Sequence, residues 1–234
     1  SPLDFLERPS RWLRAIHTYR AHTSGGPNFA FDLARRKVTP EERSRLDLSC
    51  WKTAYNGAEP VRASTLRRFA EAFASCGFQP SSFLAAYGLA EATLMATAAR
   101  WQGEDPVNCG LPGEGHEVRV VDPESLQSTS TEGAVLLRGP SVSRGYWNRP
   151  EDPRFGLVLP DGSGPWLRTG DLGVLGEDGL RITGRIADLI VIRGKNLHPP
   201  DLEHSAEQAV PELRPGCAAA VQVDDRLVLV HEVR

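Results

Sequence analysis

The sequence predicts an α/β protein: an open α/β sheet layer, then a small antiparallel β-barrel, then the start of a small α+β domain. Two strand–turn–helix units follow one another near the beginning, which is typical of an open sheet flanked by helices. After about Pro106, short alternating hydrophobic runs are separated by Gly, Pro and Asp turns, as in antiparallel β structure. A third sequence pattern, in which strands and a helix alternate, begins near Asp188. We therefore predict three units, at residues 1–106, 107–185 and 186–234.

Helical and strand patterns alternate in the first predicted unit. Hydrophobic residues recur at helical spacing in two long segments, and short apolar runs end at Asn-Gly or Tyr-Gly turns. The stretch HTSGGPNFAF, which is rich in Gly and Ser, is predicted to be a loop. The predicted helices are residues 9–20, 31–37, 61–75 and a segment that starts at Ala90. The predicted strands are residues 50–55 and 83–86.

The second and third units are predicted from shorter patterns. The runs HEVRVVD, GAVLLRG, PWLRTGDLGVL and GLRITGR indicate the antiparallel strands of the barrel. In the third unit we predict a strand at residues 189–192, a helix at 200–209 and a last strand at 226–233. This last strand has little sequence near it to supply a partner, so we expect the chain to be a piece of a longer protein.

Composition excludes several classes of function. The 234 residues are 40 % hydrophobic and 24 % charged, as in ordinary globular proteins, and the net charge of −3 offers no general attraction for nucleic acid or an anionic membrane. The amphipathic, charged beginning does not resemble a signal peptide, and no apolar run reaches the length of a membrane span. We therefore expect neither a nucleic-acid partner nor stable insertion into a membrane.

The cysteines indicate a reducing compartment. The four of them are widely separated, without a CxxC pair, which argues against a zinc cluster or a disulfide framework. We expect four reduced thiols in a cytoplasmic protein. They are Cys50, Cys76, Cys109 and Cys217.

Two polar segments follow the predicted strands of the first unit, where ligands bind in open α/β sheets. In residues 56–60 (NGAEP), small residues would let a flat ring approach the backbone, although an ordinary strand-to-helix turn is the favoured explanation when this segment is taken alone. In residues 87–93 (YGLAEAT), Tyr87 could stack on a purine and Glu91 could coordinate Mg²⁺ beside phosphates. An acidic residue that complements a helix dipole is the alternative for Glu91.

Two further polar segments lie in the later units. The carboxylate of Asp171, in RTGDLG, could accept hydrogen bonds from both hydroxyls of a ribose, or could occupy an ordinary hairpin turn. Arg185, in GRIADLIVIRGKN, could hold a ribose or phosphate oxygen, or could form a surface pair with Asp188.

The order of these four segments resembles the ATP-binding core of the adenylate-forming enzyme superfamily. A small-residue turn, YGxxE, TGD and GRxxD follow one another over nearly the whole chain. The more specific stretches GPNFAFDL and HPPDLE resemble the fatty acyl-AMP ligases, which occur beside polyketide and lipopeptide synthases.

The resemblance implies an activity. Fatty acyl-AMP ligases use ATP and Mg²⁺ to activate a fatty acid as an acyl adenylate, with release of pyrophosphate, and then transfer the acyl group to an acyl carrier protein. Two alternatives remain at this point. One is a long-chain acyl-CoA synthetase, which shares the first half-reaction, and the other is a non-catalytic lipid- or nucleotide-sensing domain. A generic α/β domain would require the four ordered segments to be accidental.

The resemblance also implies roles for individual residues. Glu91 and His22 are the candidate catalytic residues: Glu91 would serve Mg²⁺, and His22 would face the acyl pocket unless it is a loop histidine. Residues implied to bind the nucleotide are Gly57, Ala58 and Glu59 at the adenine, Tyr87 and Gly88 beside it, and Asp171 and Arg185 at the ribose. Residues implied to lie along the entrance of an acyl tunnel are Gly25, Gly26, Asn28 and Phe29.

The chain departs from the family pattern at four places. The phosphate-binding loop with its Lys is expected upstream of Ser1 and the catalytic Lys beyond Arg234, so this segment alone should bind nucleotide poorly and be nearly inactive. Ala187 stands where the family has Lys or Asp, at the hinge of the small domain. The stretch 95–108 is shorter than the family insertion that is thought to restrain that domain.

Overall fold

The computed structural model describes residues 2–192, 194–224 and 226–233. The helices are α1 (Pro2–Glu7), α2 (Ser10–Tyr19), α3 (Asn28–Lys37), α4 (Pro40–Arg43), α5 (Ala63–Phe73) and α6 (Pro199–Ala209). The strands are β1 (Thr23–Gly26), β2 (Thr53–Asn56), β3 (Phe83–Tyr87), β4 (Thr97–Arg100), β5 (Glu117–Val121), β6 (Gly133–Arg138), β7 (Leu167–Gly176), β8 (Gly179–Arg185), β9 (Ile190–Ile192), β10 (Lys195–Leu197), β11 (Leu213–Val223) and β12 (Arg226–Val233). The predicted α/β class is confirmed.

The first sheet has the strand order β1-β2-β3-β4. Strands β1, β2 and β3 run parallel, so their carboxyl ends, at Gly26, Asn56 and Tyr87, meet at one edge. Strand β4 pairs antiparallel with β3. This arrangement is the predicted open α/β layer, and it brings the first two polar segments of the sequence to the same edge.

Two local predictions in this layer are wrong. Thr23–Gly26 is the strand β1 rather than a loop, and a Cβ on Gly25 would lie 2.0 Å from the carbonyl oxygen of Tyr55 on the neighbouring strand. The glycine therefore permits a close strand approach instead of marking a loop. The helix predicted from Ala90 is a single 3₁₀ turn, Ala90–Ala92, because Thr93 adopts a positive φ of 69° and turns the chain back into β4.

The predicted amphipathic helix α5 covers one face of this sheet. Its residues Leu66, Phe69 and Phe73 recur at helical spacing and are fully buried. The ring of Phe69 lies 5.0 Å from that of Phe31 on α3, in an edge-to-face arrangement. Such aromatic packing holds α3 and α5 against the strands that carry the polar edge.

The second sheet is antiparallel, in the order β5-β6-β7-β8. The predicted runs of alternating residues therefore form strands, but among the described residues they do not close into the predicted barrel, since β5 and β8 remain the two edges. Four strands are too few to close a barrel around an interior of packed side chains. Asp171 and Arg185 are direct neighbours on β7 and β8.

The third region consists of two hairpins and a helix. Strands β9 and β10 pair antiparallel, α6 begins at Pro199 and so matches the helix predicted at residues 200–209, and β12 matches the predicted last strand. The expectation that this strand lacks a partner is wrong, because β11 pairs with it from Ala218 to Val223. A register shift between Leu213 and Ala218, around Pro215 and Gly216, concealed the pattern of β11 in the sequence.

The four cysteines are free thiols, as predicted. Within the described residues we find no helix with the length and hydropathy that a bilayer span requires.

Candidate active site

A cleft of about 330 Å³ lies between the polar edge of the first sheet and the β7–β8 hairpin. Its lining includes side chains from the ends of β2 and β3, from β7 and β8, and from the segment before α6. It falls in the size range of small-molecule sites. A wider depression of about 500 Å³, lined by residues such as Arg138, Arg144 and Trp166, contains none of the predicted site residues. The predicted site residues lining the cleft are Ala58, Glu59, Tyr87, Gly88, Glu91, Asp171 and Arg185.

Tyr87, Asp171 and Arg185 form a connected cluster in the cleft. The Tyr87 hydroxyl donates a hydrogen bond of 2.7 Å to Oδ2 of Asp171, and Nε of Arg185 lies 3.3 Å from Oδ1. Thr169 helps to orient this turn, since its hydroxyl donates to the carbonyl of Val135 and accepts from the amide of Asp171. The carboxylate of Asp171 thus has one partner on each oxygen, and an ionised carboxylate can accept further hydrogen bonds at both.

Burial dominates the electrostatics of this cluster. Tyr87 is 7 % and Asp171 9 % exposed. Burial, together with the neighbouring charge of Asp171, raises the pKa of Tyr87 far above its ordinary value, so the phenol stays protonated and remains a donor. Burial also raises the pKa of Asp171, and the Tyr87 hydroxyl and the Arg185 charge oppose that rise.

Glu91 belongs to a second cluster. Its Oε1 accepts hydrogen bonds from the Tyr146 hydroxyl and, at 3.1 Å, from Nη1 of Arg154. The guanidinium of Arg154 also lies over the Tyr146 ring, 4.5 Å from its centroid. The hydrogen bond from Tyr146, with the charge of Arg154, lowers the pKa of Glu91, so its carboxylate is ionised at neutral pH.

A buried amide network supports the loop at residues 57–60. Asn56 donates to Oδ1 of Asn28 at 3.1 Å, and Asn28 donates to the carbonyl of Pro60 at 2.9 Å. Glu59 accepts a hydrogen bond from the amide of Phe29 at the start of α3. Asn28 is only 4 % exposed, so it lies beneath this loop, and the structure does not place it at the entrance of a tunnel.

The remaining predicted residues do not line the cleft. Gly57 packs behind it, where a Cβ would lie 2.7 Å from the carbonyl oxygen of Ala86. Gly25 and Gly26 lie within β1, and the half-exposed ring of Phe29 packs against Phe5.

His22 is separated from the other candidate catalytic residue. It precedes β1, at the opposite edge of the sheet from the cleft, and its exposed ring contacts the hydroxyl of Thr23. The backbone carbonyl of His22 accepts hydrogen bonds from the amides of Lys52 and Thr53. His22 thus lies in a loop outside the cleft, and its role at an acyl pocket stays a prediction.

Sequence reasoning missed several residues of the cleft. Arg154, Thr169 and His198 all line it. Thr169 belonged to a recognised segment, and His198 begins the HPPDLE stretch, but neither was singled out. Arg154 lies in the turn-rich stretch RPEDPRFG, where no periodicity or motif signals a role.

The donor set at Glu91 fits magnesium only in the company of phosphates. The described residues contain no group of three or more His, Cys, Asp or Glu side chains that could hold a metal ion. Mg²⁺ commonly keeps waters and binds through one or two carboxylates plus substrate phosphates. The contacts described above occupy Oε1 of Glu91, so the second carboxylate oxygen can serve as the protein ligand of such an ion.

The class of protein follows from comparison with known families. The chain matches the AMP-binding enzyme family over residues 2–147, and it belongs to that family. The match covers the first sheet, the 57–60 loop and Glu91. Asp171 and Arg185 lie beyond it, so their assignment rests on the geometry of the cleft.

Individual relatives are ligases and adenylating enzymes. The chain is 39 % identical, over 272 aligned positions, to the medium-chain-fatty-acid–acyl-carrier-protein ligase JamA of Moorena producens (strain JHB), with 100 % of this chain and 46 % of JamA covered. It is 37 % identical to the 4-hydroxyphenylalkanoate adenylyltransferase of Mycobacterium tuberculosis (strain ATCC 25618 / H37Rv), with 100 % of this chain and 43 % of that protein covered.

A solved structure shows the same fold. It comes from a study of fatty acyl-adenylate ligases from E. coli and L. pneumophila and superimposes with a TM-score of 0.86 at 34 % identity, covering 99 % of this chain and 46 % of that one. The chain thus spans a little less than half the length of the proteins it resembles. The 272 positions aligned with JamA also exceed the 234 residues of this chain, so JamA has additional residues in the aligned region.

Proposed function

We propose that the whole protein activates a fatty acid with ATP as an acyl adenylate, releases pyrophosphate, and passes the acyl group to an acyl carrier protein. The observation that carries this proposal is the Tyr87–Asp171–Arg185 cluster, which presents a buried, doubly held carboxylate beside the small-residue loop at 57–60. Membership of the AMP-binding family and the resemblance to fatty-acid ligases support it.

Each part of the nucleotide has a counterpart in the cleft. Ala58 and Glu59 would border the adenine, with the Tyr87 ring against it. Gly57 and Gly88 would keep the backbone close, since a Cβ on either would meet neighbouring backbone atoms. The two ribose hydroxyls would donate to the free lone pairs of Asp171. The guanidinium of Arg185, 3.3 Å from Oδ1 of Asp171, favours the ionised form of that carboxylate by opposing the rise in its pKa that burial causes.

The chemistry requires positioning and charge neutralisation more than a strong base. An oxygen of the fatty carboxylate attacks the α-phosphorus of ATP, the bond from that phosphorus to the bridging oxygen breaks, and the electron pair leaves with pyrophosphate. Both reactants are anionic, so catalysis depends on holding them in line and offsetting their charge. Magnesium bound at Glu91 would supply part of that neutralisation.

Other parts of the proposal concern the whole protein. We propose that residues 1–106 and 107–185 belong to a large nucleotide-binding part and 186–234 to a small domain, with the 3₁₀ turn Ile186–Asp188 as its hinge. Ala187 lies in this turn. The phosphate-binding loop and the catalytic Lys would come from regions outside this chain, so this segment alone would have little activity. We propose that the protein acts in the cytoplasm, where ATP is available.

The test uses the complete protein with ATP, Mg²⁺, fatty acids of graded length, CoA and a holo acyl carrier protein, and mass spectrometry identifies the products. Acyl adenylate and acylated carrier without acyl-CoA would support the proposal and show the preferred chain length. Abundant acyl-CoA would overturn the carrier step. An unreacted mixture would overturn catalysis and favour a sensing role.

A substitution connects the activity to the cleft. Asp171→Asn removes the negative charge and replaces one of the two acceptor oxygens by an NH₂ group, so we expect the KM for ATP to rise by about tenfold or more. Asp161→Asn is the matched control, because Asp161 lies in an exposed turn outside the cleft. Equal KM values for the two variants would contradict the role assigned to Asp171.

A further inference from the structure

The side chain of Arg154 is held in one position at the border of the cleft. Its Nη1 donates to Glu91 at 3.1 Å, its Nε lies 3.4 Å from Oδ1 of Asp152, and its guanidinium covers the Tyr146 ring. The backbone is also fixed, since the carbonyl of Arg154 accepts a 2.7 Å hydrogen bond from the amide of Arg168. These contacts keep a guanidinium next to the carboxylate of Glu91.

The contacts leave donors available. They engage Nε and Nη1, whereas Nη2 has no hydrogen-bond partner within the described part of the chain. A guanidinium presents its N–H groups as a planar fork that matches carboxylate and phosphate oxygens. The side chain of Arg154 is 44 % exposed and lines the cleft, so an anionic ligand can reach Nη2.

The cleft needs such a cation for a polyphosphate. Among its described lining residues, two guanidinium groups stand against four carboxylates, so the lining by itself disfavours a highly charged anion. Arg185 is already paired with Asp171 at the place proposed for the ribose. The carboxylates are Glu59, Glu91, Asp171 and Asp188.

We propose that Arg154 binds the β- and γ-phosphates of ATP, and the departing pyrophosphate, with Tyr146, Asp152 and Glu91 as the residues that position it. This inference rests on the proposed function. In a nucleotide the ribose separates base from phosphates. With the base at the 57–60 loop and the ribose at Asp171, the phosphates extend toward Glu91 and Arg154.

The test measures binding to the whole protein by titration calorimetry, in the absence of Mg²⁺, with ATP, pyrophosphate and AMP as separate ligands. We expect Arg154→Gln to weaken ATP and pyrophosphate binding by about tenfold and to change AMP binding by less than about threefold. Arg154→Lys keeps the positive charge but loses the planar fork of N–H donors, so its affinity for ATP and pyrophosphate should lie between those of wild type and Arg154→Gln. Arg149→Gln, an exposed position outside the cleft, is the control.

The ligands separate the possible outcomes. If Arg154 only stabilises its loop, its substitution would weaken the binding of ATP, pyrophosphate and AMP together, or of none of them. Either result would overturn the inference. Retained AMP affinity shows that a variant is folded, and Arg154→Lys supplies the answer if Arg154→Gln is unstable. If wild-type protein makes acyl adenylate while Arg154→Gln and Arg154→Lys bind pyrophosphate normally, only this inference fails. If wild-type protein binds no ATP, the proposed function fails with it.

Discussion

Replacing Tyr87 by Phe tests the electrostatic account of the cleft. The substitution keeps the aromatic ring in the core and removes one atom, the hydroxyl oxygen that donates to Asp171 at 2.7 Å. Both residues are less than a tenth exposed, so water cannot readily replace the lost donor. The change therefore isolates a single buried hydrogen bond to a carboxylate.

The expected magnitude follows from the charge of the acceptor. Hydrogen bonds to charged groups contribute about 1.5–3 kcal/mol, whereas those between neutral groups contribute about 0.5–1.5 kcal/mol. We expect Tyr87→Phe to lower the free energy of unfolding at pH 7 by an amount in the first range. The ion pair of Asp171 with Arg185 remains in the variant and keeps the loss from becoming larger.

The stability lost in Tyr87→Phe should depend on pH. Because burial raises the pKa of Asp171 in the folded state, ionisation of this carboxyl costs stability as the pH rises through that pKa. The Tyr87 hydroxyl lowers the pKa of Asp171, so removing this hydroxyl increases the stability that is lost when Asp171 ionises. As the pH falls and Asp171 becomes protonated, the difference in free energy of unfolding between wild type and Tyr87→Phe should shrink to about 1 kcal/mol.

Urea unfolding followed by tryptophan fluorescence provides the measurement, since the chain has five tryptophans. Tyr19→Phe is the matched control, because Tyr19 is 82 % exposed, and it should change stability by less than about 0.5 kcal/mol. A loss below that value in Tyr87→Phe at pH 7, or a loss that is equal at acid and neutral pH, would refute the reasoning.

Three further predictions address other parts of the molecule. Gly88→Ala should lower the free energy of unfolding by at least about 2 kcal/mol, because the new Cβ would lie 1.7 Å from the carbonyl oxygen of Leu94. Gly113→Ala is the control: a Cβ there meets open space, so this substitution should change the free energy of unfolding very little. Tyr146→Phe removes the main cause of the lowered pKa of Glu91, a group that stabilises the fold above its unfolded pKa. Tyr146→Phe should therefore lower the free energy of unfolding at neutral pH and lower it less at acid pH, where Glu91 is protonated. A loss of the same size at both pH values would contradict this. Burial raises the pKa of the Cys109 thiol to about 12, so at pH 8 alkylation should be slow in the native protein and rapid in urea.

Several of the helices and strands that the sequence predicted correctly have a strong hydrophobic pattern. In α5 the buried residues Leu66, Phe69 and Phe73 are spaced for one side of a helix. Elements without that signal were missed. Strand β1 contains two glycines, and β4 follows a turn in which Thr93 takes a positive φ. Pairing with neighbours, rather than local preference, makes these segments strands.

The candidate site was predictable only in part, for a related reason. Tyr87, Glu91, Asp171 and Arg185 stand in short recognisable segments, and the structure brings all four to one cleft. His22 was assigned to an acyl pocket on resemblance alone, and that role stays a prediction; it lies at the amino end of β1, whereas the cleft lies at the carboxyl ends of the parallel strands.

The sequence by itself determined the α/β class, the amphipathic faces and the order of the polar segments, because these depend on residue type and local spacing. Tertiary structure alone decided which side chains meet. Tyr87 and Asp171 are 84 residues apart, and Glu91 and Arg154 are 63 apart, yet each pair is within hydrogen-bond distance. Those contacts depend on how the two sheets pack against each other, and no local pattern in the sequence records that packing.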